Sequence, residues 1–223
     1  MHPMPKQITS ASPHQHRPLQ PLWLRITHWL NAVAVVVMVM SGWRIYNASP
    51  IFGDFRFPAG ITLGGWLGGA LQWHFAGMWL LALNGLAYLL LNLLTGRWAR
   101  RMFPVSPRGV LRDAWLALTA RLSHADLGHY NQVQRAAYLF AVADLVLLVV
   151  SGLVIWKSVQ FPLLRELLGG YEMARRIHFI AMALLVGFIA VHIAMVVLVP
   201  RSLLTMLLGR STLQRKTQPE SAA

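Results

Sequence analysis

The chain has 223 residues, of which 56% are hydrophobic and only 12% charged, with a mean hydropathy of +0.51. A soluble domain carries roughly twice that charged fraction, so the composition is that of an integral membrane protein. The formal charge of +13 does not point to nucleic acid, because the basic residues lie between and beyond long apolar runs. The absence of cysteine excludes thiolate-held clusters and disulfides.

Residues 1–21 are polar and Pro-rich and lack the basic start and short apolar core of a signal peptide. They read as a disordered tail in which His2, His14 and His16 have no specific role. The first membrane segment is expected at about 24–46, entered through Arg25-Ile26-Thr27-His28-Trp29. Residues 47–71, rich in Gly, Pro and aromatics, are too interrupted to cross a bilayer and read as an interfacial loop. The second segment is expected at about 72–94, with His74 near its start.

Residues 95–135 hold seven arginines against Asp113 and Asp126. Within them Ser106-Pro107 is a helix-start signal, and Val110, Leu111, Trp115, Leu118 and Leu122 fall opposite Arg108, Arg112, Asp113 and Thr119. That pattern predicts an amphipathic helix lying on the bilayer surface. The third segment is expected at about 136–156, a loop with a break at Gly169-Gly170 follows, and the fourth segment spans about 176–199. The chain thus divides into a tail (1–21), one four-helix domain (22–208) and a second tail (209–223).

Fourteen of the 20 Lys and Arg lie in the two tails and the 95–135 connection, and six in the other two connections. The positive-inside rule then predicts an all-α, multi-pass membrane protein with four crossings, both termini cytoplasmic and the amphipathic helix on the cytoplasmic surface.

The fourth segment carries His178 and His192. Fourteen residues apart on a helix, they lie ~21 Å apart along the axis and within ~40° of one face. With the topology above, His74 and His178 lie toward the outer side, and His28 and His192 toward the inner side. One intramembrane histidine is ordinarily a hydrogen-bonded packing residue, but four in two matched pairs call for another reading. No carboxylate or thiolate accompanies either pair, as a bare metal site would want. A planar macrocycle with two axial imidazoles needs only such pairs, so the sequence points to two b-type haems, one held by His74 and His178 and one by His28 and His192.

Arg25, Arg175 and Arg176 flank the ligands where guanidinium groups could pair with propionates, or simply anchor the helix ends at the interface. Ser41-Gly42 and Ser151-Gly152 recur at comparable depth in the first and third segments. They leave backbone exposed for something bulky to approach, or serve as small-residue helix contacts.

These motifs, namely R-I-T-H-W, W-H, Y-N-Q-V-Q-R and R-x-H with a second His 14 residues on, resemble the bacterial cytochrome b561 superfamily. The resemblance is closer still to the membrane cytochrome b subunits of formate dehydrogenase, nickel–iron hydrogenase and thiosulfate reductase. It covers about residues 21–208 and implies a place in the bacterial inner membrane, a four-helix core, two bis-histidine haems in the pairing above and a quinone substrate handled near the cytoplasmic haem. It also implies that Asn131 and Gln134, matching an Asn-x-x-Gln element, line the quinone pocket, with Tyr130 and Arg135 beside them; helix capping is the other reading of Asn131.

Asp144 stands apart from the family pattern. About nine residues into the third segment, it is expected near the level of His192, as a proton relay to quinone or as a protonated acid bonded to Asn31, Asn84 or a backbone carbonyl. The implied function is electron transfer between the quinone pool and a periplasmic catalytic oxidoreductase, of molybdopterin type by resemblance. That partner would dock on the loops around Phe55, Phe57, Trp66 and Tyr171. Lipid surrounds the chain, nucleic acid is excluded, and a homo-oligomer is left open. The alternative, also implied by the superfamily, is a stand-alone superoxide:ubiquinone oxidoreductase with a basic outer pocket of Arg44, Lys157 and Arg176.

Overall fold

The computed structural model describes residues 20–119 and 131–209. The tail histidines, Tyr130, Leu122, Asp126 and nearly all of both expected tails lie outside the described residues. Within them the fold is all-α, in the order α1 (Leu22–Ala48), α2 (Leu67–Leu94), α3 (Arg97–Met102), α4 (Pro107–Leu118), α5 (Gln132–Trp156), α6 (Pro162–Leu167), α7 (Tyr171–Leu198) and α8 (Pro200–Leu208), with one 3-10 turn at Ala59–Ile61. Helices α1, α2, α5 and α7 are long and apolar enough to cross a membrane, so the four-helix membrane architecture holds.

The bundle is two antiparallel hairpins, α1 with α2 and α5 with α7. They join through a thin core in which Val35 and Val39 of α1 pack with Leu185 of α7. Large apolar side chains such as Val36, Leu83, Leu147 and Val191 point outward, as expected of helices whose outer surface meets hydrocarbon rather than water. One end of the bundle carries residue 22 and α8, and is called here the termini end. The other carries the α1–α2 and α5–α7 connections and is the loop end.

The sequence pattern misplaced three helix starts, that of α7 among them, which lies at Tyr171 rather than about 176. Helix α2 begins at Leu67, five residues before the expected start, because the glycines of Gly64-Gly65-Trp66-Leu67-Gly68-Gly69 divide their work. Gly64 and Gly65 turn the chain at φ +103° and +70°, whereas Gly69 is already helical and packs so close that an added Cβ would lie 2.3 Å from Gly64 O. Helix α5 begins at Gln132, four residues early. Asn131 Oδ1 accepts from Gln134 N, and Gln134 Oε1 accepts from Asn131 N, which closes a capping box.

Helix α4 forms where expected, with Ser106 Oγ accepting from Gly109 N and Pro107 in the first turn. Its apolar residues Leu111 and Trp115 are exposed, ready to enter a bilayer surface. Asp113, expected on the solvent side, is instead 6% exposed and accepts from Gln132 N at 2.9 Å. A carboxylate at the α5 N-terminus meets both a free N–H and the positive end of the helix dipole, and so fastens α4 to the bundle.

At the loop end, residues 49–66 fold back over α1. Asn47 holds Phe57 by a reciprocal pair, Nδ2 donating to Phe57 O (2.8 Å) and Oδ1 accepting from Phe57 N (2.9 Å). Phe57 stacks on Trp43 at 4.8 Å, and Tyr46 and Phe52 meet Phe179 of α7 at 4.8 and 5.2 Å. Gly169 and Gly170, at φ +78° and +94°, make the expected break before α7.

Candidate functional site

Helix α7 presents its two histidines to two different partners. At the termini end His192 faces His28 of α1, with ring centroids 6.1 Å apart, and at the loop end His178 faces His74 of α2 at 6.5 Å. Metal–imidazole bonds of about 2 Å on either side of one ion, with about 1 Å more to each ring centre, give about 6 Å between centroids. Both pairs therefore have the spacing of two axial ligands on one metal. Among the described residues no group of three or more His, Cys, Asp or Glu could hold a metal ion by itself. Two imidazoles suffice only for a metal that brings its own equatorial ligands, as a porphyrin iron does.

The two pairs are set in different surroundings. His74 Nδ1 lies 3.0 Å from Ser41 Oγ, and His178 Nδ1 lies 3.0 Å from Ser151 Oγ. The glycine after each serine admits the ring: a Cβ on Gly42 would stand 3.5 Å from His74 Cε1, and one on Gly152 would stand 3.3 Å from His178 Cε1. The repeated Ser-Gly pair is visible in the sequence, but the sequence pattern does not show its hydroxyl as a partner for histidine. The bulky group that meets each glycine is the imidazole edge. At the termini end His28 packs edge-on to Trp29 (5.5 Å) and His192 stacks on Phe188 (6.1 Å, 11°).

Residues 19–209 match the family of prokaryotic cytochrome b561. The chain belongs to that family. As a cytochrome b561 it is a membrane protein that binds b-type haem, which agrees with paired imidazoles inside an apolar bundle. It is 65% identical over 191 residues, 86% of this chain and 96% of the relative, to a protein of Azospira oryzae (strain ATCC BAA-33 / DSM 13638 / PS). That relative is named "Putative protein-methionine-sulfoxide reductase subunit YedZ1". No solved structure matches the chain.

Other residues singled out in this cytochrome b561 sequence fall as follows. Arg25 Nε donates to Met206 O at 3.0 Å and its NH2 group to Leu207 O, so this guanidinium caps the last carbonyls of α8. Arg175 pairs with Glu172 and donates to Ser49 O (2.6 Å). Arg176 is exposed and has no polar partner among the described residues. Asn131 and Gln134 commit their carbonyl oxygens to the capping box, which leaves both NH2 groups as donors. Arg44 donates to Gly65 O, and Lys157 Nζ sits 4.8 Å over the Trp156 ring, so two of the three expected outer-pocket cations already have neighbours.

Asp144 lies at a different depth from the one expected. Contacts of Ser151 with His178 and of Phe140 with Phe188 set α5 antiparallel to α7. Seven residues from Ser151 is ~10.5 Å along the axis, which puts Asp144 halfway between the two histidine pairs rather than level with His192. The early start of α5 is the reason. Asp144 is 5% exposed, and its Oδ2 has no hydrogen-bond partner among the described residues. The expected partner Asn84 instead donates to Thr27 O and to Asn31 Oδ1, both at 2.7 Å.

Proposed function

We propose that this protein is the membrane subunit of a periplasmic sulfoxide reductase system, a di-haem cytochrome b that carries electrons from quinol to a catalytic partner docked at the loop end. The single observation that carries this reading is the stacking of two facing imidazole pairs on one transmembrane helix, His28 with His192 and His74 with His178. Bound there, haem would supply a one-electron centre on each side of the membrane. The functional unit is residues 22–208, with 1–21 and 209–223 as tails.

The direction of flow is supported by the relative's name. Reducing a methionine sulfoxide consumes two electrons and two protons and releases water, while oxidising a quinol releases two of each, so the two half-reactions balance. The protein supplies the remaining chemistry through its own side chains. Asn131 and Gln134 turn amide N–H donors toward a quinone carbonyl at the cytoplasmic end, and Asp144 holds a proton in the bundle interior. Arg176 meets an anionic propionate at the loop end, with Arg25 and Arg175 as lesser contributors because each has another partner. The partner carries the sulfoxide-reducing centre, of molybdopterin type as the family resemblance implies.

The test is the visible spectrum and haem content of the purified chain. Two haems per chain are expected, with one lost in His74→Ala and the other in His28→Ala. Quinol should reduce both, and a co-expressed periplasmic partner should reoxidise them only with a protein methionine sulfoxide present. One haem per chain, or a haem that survives both substitutions, overturns the ligand assignment. Fast reduction by superoxide without any partner would instead favour the stand-alone enzyme.

A further inference from the structure

The loop-end histidines are the ones whose second ring nitrogen has a partner, and that partner is the same in both hairpins. Ser41 Oγ lies 2.6 Å from Val37 O and 3.2 Å from Met38 O, and Ser151 Oγ lies 2.6 Å from Leu147 O and 3.2 Å from Leu148 O. Two oxygens at 2.6 Å need a proton between them, and a seryl hydroxyl has only one, so each serine donates to the carbonyl four residues back. Toward Nδ1 at 3.0 Å the hydroxyl oxygen can then only accept. Each imidazole must carry its proton on Nδ1, which leaves the Nε2 lone pair free. Both serines are fully buried, so no water competes for the bond. His28 and His192 have no hydrogen-bond partner among the described residues.

We propose that Ser41 and Ser151 are positioning residues for the loop-end haem alone: they fix the tautomer and orientation of His74 and His178 and lower that haem's potential. The inference rests on the haem-ligand reading above. A ligand that donates its second N–H to an acceptor is the more basic one and favours ferric iron. The termini-end haem has no such acceptors, so its potential is not lowered in this way. The two hairpins thus build a difference between the sites from one repeated dipeptide.

The experiment uses full-length protein in lipid nanodiscs, as Ser41→Ala, Ser151→Ala, the double variant and the Ser→Thr counterparts. Redox titration with optical detection should show the potential of one haem rise in each Ala variant and rise furthest in the double. That haem is identified as the one absent from His74→Ala. Its transfer to an excess of apomyoglobin should become about 10–100-fold easier, with the other haem unmoved. Threonine, which keeps the hydroxyl, should restore both readouts. Equal shifts in both haems, or none in the double variant, overturn the proposal. A separate arm distinguishes its failure from that of the haem reading: in haem-free chain, ¹⁵N spectra should show His74 and His178 protonated at Nδ1, and the Ala variants should lose that preference. If His74→Ala leaves the haem complement intact, the ligand reading is wrong while this tautomer result still stands or falls by itself.

Discussion

At the scale of single residues the loop-end site is asymmetric by a few tenths of an ångström, and that is enough to decide a sign. Replacing a helix-interior glycine by alanine gains about 0.5–1 kcal/mol from backbone entropy, and overpacking loses about 1–3 kcal/mol. At Gly42 the new Cβ stands 3.5 Å from His74 Cε1, an ordinary contact, so Gly42→Ala should be neutral to slightly stabilising. At Gly152 the distance is 3.3 Å, and the ring cannot swing away without losing its bond to Ser151 one residue earlier. Gly152→Ala should therefore lower apparent thermal stability and loosen the haem proposed for His74 and His178, as read by thermal unfolding and haem transfer. The histidines themselves were legible in the sequence because a helix converts residue spacing directly into depth and face. The serine bonds were not, because a hydroxyl's partner depends on which neighbouring helix is antiparallel and in what register.

At the scale of elements, hydropathy located all four spanning helices but not where they begin, since starts are set by local hydrogen bonds that hydropathy does not see. The Gly64 turn and the Asn131 capping box extend α2 and α5 outward, and the second extension is what moves Asp144 to mid-bundle. Taken alone, α4 puts Asp113 on its polar face; with α5 present, its carboxylate has a better use at that helix's N-terminus. Helix α8 shows the reverse case. Its nine residues are too few to be stable alone, and Arg25 of α1 pins it by two carbonyls, beside Gly209 in the left-handed region at φ +75°. A cation at a helix C-terminus contributes about 0.3–1 kcal/mol. Arg25→Gln should therefore speed amide deuterium exchange across 200–208 about two- to fivefold and leave exchange in α1 and α7 unchanged. Unaltered exchange in α8 would mean that its packing, not the guanidinium, holds it.

At the scale of the whole molecule, the two hairpins place four histidines in two layers, and the direction in which the bundle crosses the membrane decides what each layer can do. If both termini are cytoplasmic, the His28/His192 layer and the amide groups of Asn131 and Gln134 face the inner leaflet, while the aromatic loop over α1 faces the periplasm, where the proposed partner would dock. The inverse orientation would send the same loop into the cytoplasm. The argument for the first is the excess of Lys and Arg at the termini end, 14 against 6, and the chain offers a clean way to test it because it has no cysteine. Single cysteines at Asp54 and Glu166, exposed at the loop end, should react with a membrane-impermeant maleimide once the outer membrane alone is opened. Single cysteines at Arg108 and Thr119, exposed at the termini end, should react only after the inner membrane is breached. Labelling in the opposite order would leave both histidine layers in place yet exchange their sides, so that the proposed quinol oxidation and partner reduction would each need a different face of the protein.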